Sequence, residues 1–395
     1  MEEIRVSVRN LVEFILRCGD IDNRRGAMAD KDAMQMGSRL HRKIQGKMGP
    51  DYHAEVPLKT ERNCGNFLLI VEGRADGIFT DQGRTVIDEI KGVFRDLERM
   101  EESDPIHLAQ AKCYAYIYAD QRNLEEIGVQ MTYANLDTEE IRRFHYFYKK
   151  TELDEWFAEL ISAYQKWAQM ELEWKHERKE SIGHTAFPYP YREGQKELAA
   201  AVYRTIWHGK KLFIQAPTGV GKTLSTVFPA VQAVGKNLGD KIFYLTAKTI
   251  TRTVAEEAFS LLKSKGLRYK VVTLTAKEKI CFCEEPDCNP EKCPYARGHF
   301  DRVNDAVFEL LSSYDDNTGN YNRDRIMAQA EKWQVCPFEM ALDVSLWADA
   351  IICDYNYVFD PQAKLKRFFA EGVKGDYLFL IDEAHNLVER GREMY

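Results

Sequence analysis

At 395 residues, with 45% hydrophobic and 30% charged side chains, the chain is longer than one compact core usually organises, and two or three domains are expected. It carries no low-complexity tract, no internal repeat and no apolar run of bilayer-spanning length, which excludes a disordered, fibrous or membrane-spanning class. Met1–Arg9 lacks the apolar core of a secretion signal, so an intracellular, cytoplasmic setting is expected. The net charge of −7 argues against a protein that coats nucleic acid through bulk electrostatics, but leaves room for a groove lined locally by Lys and Arg.

The first informative segments are Phe67 to Phe79 and Thr85 to Lys91, rich in aliphatic and β-branched residues and separated by the turn-like Thr80-Asp81-Gln82-Gly83-Arg84. They predict a β-hairpin. Side chains alternate along a strand, so Glu89 and Lys91 share one face while Asp88 and Ile90 take the other. Asp76 and Glu89 are then placed to hold Mg²⁺ or Mn²⁺ together with the Ile90 carbonyl, and Lys91 to orient water or stabilise a pentavalent phosphate. That is the chemistry of phosphodiester hydrolysis. By itself the pattern is weak, since charged strand faces are frequent.

Two flanking motifs add to it. Gly37-Ser38-Arg39-Leu40-His41 upstream and Gln110-Ala111-Lys112-Cys113-Tyr114 downstream resemble the His and Q-x₃-Y motifs of RecB-type nucleases of the PD-(D/E)xK superfamily. The resemblance covers roughly residues 1–125. It implies His41 as a metal ligand and Gln110 and Tyr114 as residues that contact DNA or brace the site, with Glu55 a further candidate.

Leu153, Phe157, Leu160, Ile161, Tyr164 and Trp167 recur at helical spacing and predict an amphipathic helix over Thr151–Glu180. Pro188 and Pro190 then break the period, and a boundary is expected near residue 181. Beyond it, short apolar runs at Lys211–Gln215, Lys241–Thr246, Ala350–Cys353 and Tyr377–Ile381 alternate with helix-like stretches, the pattern of a parallel α/β sheet.

Ala216-Pro217-Thr218-Gly219-Val220-Gly221-Lys222-Thr223 follows the first of these runs and opens a helical pattern, the context of a phosphate-binding loop. Backbone N–H groups of Thr218, Gly219, Val220 and Gly221 are expected to face phosphate oxygens of ATP. Lys222 reaches the outer phosphates, and the Thr223 hydroxyl ligates Mg²⁺. Asp382 and Glu383 end the last apolar run and supply the partner: Asp382 for Mg²⁺ through water, Glu383 as the base that polarises the attacking water.

Asp382-Glu383-Ala384-His385 is the DEAH box of superfamily 2 helicases. Tyr189–Gln195, Leu245–Thr249 and Cys353–Pro361 resemble the XPD/DinG branch in particular, over residues 185–395. The resemblance implies adenine contact by Gln195, nucleic-acid backbone contact by Thr246 to Arg252, Thr246 and Lys248 foremost, and movement 5′ to 3′ on single-stranded DNA.

Of nine cysteines, Cys281, Cys283, Cys288 and Cys293 crowd together and Cys336 follows. In a reducing compartment such a cluster suggests a metal site. One close pair with two distant partners, and the Cys293-Pro294 and Cys336-Pro337 pairings, favour a 4Fe-4S cubane over structural zinc. The XPD/DinG resemblance implies such a cluster in the first motor lobe. Cys281, Cys288, Cys293 and Cys336 are the expected ligands, with Cys283 an alternative to Cys281.

The expected fold is α/β: a RecB-like PD-(D/E)xK nuclease domain (1–150), a helical linker (151–184) and a RecA-like P-loop lobe (185–395) with an iron–sulfur domain inserted at about 275–345. The second motor lobe is expected to lie outside this truncated chain, which would bind nucleotide but not translocate. The expected function is an ATP-dependent helicase and nuclease of DNA repair or processing, acting on single-stranded or tailed DNA. The alternative is a nucleic-acid-binding module with an inactive nuclease fold.

Overall fold

A computed structural model describes residues 1–24, 30–217, 221–247, 249–314, 320–370 and 373–394. The chain divides into two compact units, one of residues 1–18 and 23–169, the other of residues 19–22 and 170–395.

In the first unit, strand β1 (Glu2–Ser7) leads into helix α1 (Val8–Ile15), capped by the Ser7 hydroxyl, which accepts from the Asn10 N–H at 3.1 Å. Helix α2 (Asp30–Gln45) precedes strands β2 (His53–Asn63), β3 (Phe67–Asp81) and β4 (Arg84–Val93). Helix α3 (Pro105–Arg122) connects to β5 (Glu126–Asn135) and β6 (Ile141–Lys149). The expected hairpin is β3 and β4. Its two loop residues, Gln82 and Gly83, both take positive φ (49° and 81°), the backbone that lets a two-residue turn follow the strand twist.

The sheet order is β1-β3-β4-β5-β6, with β2 paired to β3. β1 pairs in parallel with Phe67–Glu72, and β4 pairs antiparallel with Gly77–Asp81, so the two follow one another along one edge of β3. The stretch from Gly73 to Asp76 lies in the gap between their ladders. β5 is buried from Ile127 to Asn135, as suits a strand paired on both edges and covered by helices. Asp104 caps α3, its carboxylate accepting from the Ile106 N–H at 3.0 Å, and Pro105 supplies the first turn.

Helix α4 runs unbroken over Lys150–His184, and the division between the units falls within it. Leu153, Phe157, Leu160 and Trp167 are buried as their spacing requires, with Phe157 stacked on Tyr116 at 4.0 Å between ring centroids.

The second unit holds a wholly parallel sheet in the order β11-β7-β10-β8-β9: β7 (Lys241–Leu245), β8 (Val271–Thr273), β9 (Asn320–Tyr321), β10 (Ala350–Cys353) and β11 (Tyr377–Ile381). Helices α5 (Gln195–Trp207), α6 (Lys222–Gly235) and α7 (Thr249–Lys263) accompany it, and Val227, Val231, Ile242, Tyr244 and Phe259 share one core. One expected strand does not form. Lys211–Gln215 has no ladder partner, and Phe213 is 91% exposed, so its apolar run lacks the neighbour a strand requires. The short β8 and β9 carried no periodic signal of their own.

Between β8 and β10 come helices α8 (Lys277–Ile280), α9 (His299–Ser312), α10 (Arg323–Trp333) and α11 (Pro337–Trp347). A stretch from far upstream is tied to them: the Ile21 N–H donates to the Ala296 carbonyl and the Phe300 N–H to the Gly19 carbonyl, each at 3.0 Å. Among the described residues no helix is long and apolar enough to cross a membrane.

Candidate functional site

The gap in the first sheet is where polar side chains converge. β4 leaves β3 beyond the Gly77–Asp88 pair, and the next free amide, that of Ile90, donates to the Asp76 carboxylate at 2.7 Å. Ile90 itself is buried on the opposite face, against Leu40 and Ile44 of α2. His41, on the same helix, brings Nδ1 to 3.7 Å from the other Asp76 oxygen. Gln45, one turn further, donates to the Asp76 carbonyl at 2.9 Å and to the Glu55 carboxylate at 3.2 Å. Glu55 is thus linked to the site through Gln45.

On the α3 side, Lys91 donates to Glu89 Oε1 at 3.0 Å and to Gln110 Oε1 at 2.9 Å. Tyr114, one turn further along the helix, packs so closely on β3 that a Cβ on Gly73 would lie 2.7 Å from its hydroxyl. Gln110 therefore braces Lys91 from α3, with Tyr114 packed beside it.

The electrostatics are those of a dry acidic site. Glu89 is 2% exposed, and burial with the nearby Asp76 charge pushes its carboxyl up to about 8. Burial also raises Asp76, opposed by His41 and by the Ile90 amide. Glu89 Oε2 is buried with no hydrogen-bond partner, an acceptor whose desolvation nothing offsets. Asp88, on the reverse face, is fully engaged by Tyr52 at 3.0 Å, Thr132 at 2.6 Å and Gln130 at 3.1 Å, and takes no part in the site.

The second site gathers at the ends of β7 and β11. Gly221 takes a left-handed backbone (φ 74°) directly before α6, and Gln195 packs so tightly against it that a Cβ has no room. Gln195 accepts the Arg192 N–H at 2.8 Å. Lys222 donates to the Ala216 carbonyl at 2.9 Å, folded onto its own loop. Thr218, Gly219, Val220 and Lys248 lie outside the described residues.

Asp382 stands beside Glu383, whose charge, together with burial, raises its carboxyl. Tyr355 donates to the Asp382 and Glu383 carbonyls. It was not singled out from the sequence and lay unassigned within Cys353–Pro361. Thr246 is buried at the end of β7, its hydroxyl against that of Thr251.

Cys281, Cys283, Cys288, Cys293 and Cys336 line one cavity, and none forms a disulfide. Cys283 Sγ is 3.8 Å from Cys293 Sγ, and the Cys283 N–H donates to Cys281 Sγ at 3.4 Å. A soft, thiol-rich donor set around a cavity is the right chemistry for an iron–sulfur cluster. Even so, among the described residues no group of three or more His, Cys, Asp or Glu side chains, here or at Asp76, is gathered at metal-holding geometry. Lys277 lines both this cavity and a larger groove, where Arg252, Lys279, Lys364 and Lys366 with Tyr357 outnumber Glu278, Glu339 and Asp354.

The DEAD/DEAH box helicase family model matches residues 192–282, and the DEAD_2 family model matches residues 246–395. These matches support the XPD/Rad3-like superfamily 2 helicase family for residues 192–395. This helicase region is similar to the XPD helicase subunit of general transcription and DNA repair factor IIH from Dictyostelium discoideum, 21% identical over 225 residues, covering 51% of this chain and 29% of that protein. It is 48% identical over 205 residues to a "probable ATP-dependent helicase" of Methanocaldococcus jannaschii, again covering 51% of this chain and 29% of the relative. The chain thus spans under a third of the length of these relatives. A solved structure described as an XPD helicase matches 52% of this chain and 34% of its own, at 20% identity and a TM-score of 0.37. Neither family match extends over residues 1–191.

Proposed function

We propose that this chain joins a metal-dependent DNA nuclease to the ATP-binding lobe of a DNA helicase, acting on single-stranded or tailed DNA in repair or processing. The carrying observation is the Asp76, Glu89, Lys91 and Gln110 assembly, in which Glu89 keeps a buried carboxylate oxygen without a hydrogen-bond partner.

A divalent cation, Mg²⁺ or Mn²⁺, bound there supplies Lewis acidity and a nucleophilic water at neutral pH. Asp76, Glu89 and His41 are the side chains available to hold it, with the Ile90 carbonyl as a candidate fourth donor. Lys91, fixed by Gln110, presents an ammonium to the scissile phosphate and orients water. Gln110 and Tyr114 would contact DNA or brace the site.

In the helicase region, Lys222 and the loop backbone take the phosphates of ATP, Gln195 the adenine, Thr223 and Asp382 the magnesium, and Glu383 the attacking water. Cys281, Cys288, Cys293 and Cys336 would hold a 4Fe-4S cluster as a brace for the helices between β8 and β10. Thr246, Lys248 and the basic groove beside Arg252 suit a single-stranded phosphate backbone. Travel 5′ to 3′ on single-stranded DNA is what the resemblance implies.

The test is cleavage of 5′- and 3′-tailed DNA with Mn²⁺ or Mg²⁺, by this chain and by Lys91→Ala. Cutting that disappears in the variant supports the nuclease. No cutting by a folded, metal-loaded wild type favours a second reading, a DNA-binding module that does not cut, for which the absence of a gathered metal-ligand group among the described residues speaks.

A further inference from the structure

We propose that Gly19–Asp22 belongs to the cysteine site, as a strap that fixes Cys293 and Cys336 in place for the cluster and adds Ile21 to its cover. The inference rests on the cluster reading above and adds to it a segment from far upstream of the cysteines.

These residues are part of the second unit, although the chain on either side of them belongs to the first. They are held against Ala296–Asp301, the stretch that runs from just beyond Cys293 into the start of α9. The Ile21 N–H donates to the Ala296 carbonyl and the Phe300 N–H to the Gly19 carbonyl, each at 3.0 Å. The Gly298 N–H donates to the Asp20 carboxylate at 2.6 Å, and the Gly19 N–H to the Asp301 carboxylate at 2.8 Å.

α9 has a use for these bonds. A helix begins with amides that find no partner within it, and the capping residue here, Gly298, has no side chain to offer one. The Gly19 carbonyl and the Asp20 carboxylate supply acceptors from outside, and the helix dipole favours a negative charge at that end.

From this anchored turn the contacts run to two of the thiol ligands. Ala296, which takes the Ile21 amide on its carbonyl, donates its own N–H to the Cys293 carbonyl at 3.1 Å. His299, the first residue of α9, is fully buried and accepts the Cys336 N–H on Nδ1 at 3.1 Å. One turn of chain therefore positions two cysteines that lie far apart in sequence, and the strap holds that turn. Ile21 is half-buried and lines the cysteine cavity along with Phe282, Tyr295 and Phe338. An apolar shell of this kind limits the access of water and chelators to iron.

The experiment follows iron in the whole chain, purified without oxygen. Iron content and cluster absorbance are measured first, then the rate at which excess EDTA removes iron from wild type, Asp20→Ala, Asp20→Asn and Ile21→Ser. Asp20→Asn keeps an acceptor for the Gly298 N–H, and Asp20→Ala removes it. All should load equal iron. Asp20→Ala and Ile21→Ser should release it about fivefold faster, the scale of one net hydrogen bond, with Asp20→Asn at the wild-type rate.

Wild-type release by both Asp20→Ala and Ile21→Ser, or an equal acceleration in Asp20→Asn and Asp20→Ala, overturns the strap while leaving the cluster standing. If Asp20→Ala is not recovered folded, Ile21→Ser, which keeps every backbone bond, decides alone. A wild type that holds no iron and shows no cluster absorbance removes the site itself and this inference with it.

Discussion

The backbone N–H of Ile90 donates to the Asp76 carboxylate at 2.7 Å, across the place where β4 departs from β3. Parting strands leave amides unpaired, and an unpaired amide that is buried must find an acceptor. Asp76 is that acceptor. The bond holds its carboxylate toward Glu89 and His41, so one side chain both seals the break in the ladder and shapes the acidic site.

Asp76 accordingly has two separable roles. Asp76→Asn keeps an acceptor for Ile90 and should fold with near wild-type stability while losing metal-dependent DNA cleavage. Asp76→Ala should lose cleavage and also about 1–3 kcal/mol of unfolding free energy, the cost of a buried amide left without a partner. Urea unfolding of the two variants decides this; equal stabilities would show the Ile90 bond to be incidental.

Lys222 now donates to the Ala216 carbonyl, a contact that bound phosphate would replace. Lys222→Ala should weaken nucleotide binding by about tenfold or more, the scale of a charge-assisted contact. Cleavage at the N-terminal site should be unaffected when assayed without ATP. Calorimetry with an ATP analogue measures the first and a DNA-nicking assay the second.

Five thiols line a cavity from which a cubane would take four. Ser at Cys281, Cys288, Cys293 or Cys336 should abolish the brown absorbance and lower bound iron, whereas Cys283→Ser should retain both. If Cys283→Ser loses the cluster and Cys281→Ser keeps it, the first ligand is Cys283.

His107 lies in the first turn of α3 with Nδ1 at 3.1 Å from the Tyr133 hydroxyl, and burial, aided by the Lys91 charge, pushes it down to about 4. The unfolded chain takes up this proton near pH 6.5, and the folded chain does not until about pH 4. Stability contributed by the neutral imidazole is therefore intact above pH 6.5 and is lost as pH falls through that window. His107→Gln should flatten this part of the stability profile, measured by denaturant midpoints between pH 7 and 4. An unchanged slope would mean that another group titrates there.

The hairpin and the strand ending in Asp382 were legible because each rests on a short-range pattern: aliphatic and β-branched runs around a turn-like segment, and an apolar run closed by acids. Lys211–Gln215 has the same local pattern, yet it finds no ladder partner. Strand formation depends on a neighbour that the segment itself does not encode. Tyr355 was hidden for the opposite reason. A buried tyrosine looks alike whether its hydroxyl is idle, as in Tyr269, or tied to the backbone of the acidic pair, as in Tyr355.

By itself the sequence determined which chemical groups this protein has and on which local elements they sit: Asp76, Glu89 and Lys91 on a hairpin, Lys222 and Thr223 opening a helix, Asp382 and Glu383 closing a strand, and cysteines in a cluster. Tertiary structure alone decided how they are held. It set Glu89 dry with an oxygen to spare, fixed Lys91 through Gln110, tied the backbone of Asp382 and Glu383 to Tyr355, and joined Gly19 and Ile21 to the segment beside the cysteines. Local patterns follow from neighbours three or four residues apart, whereas burial and hydrogen-bond partnership depend on which distant segments the folded chain brings into contact.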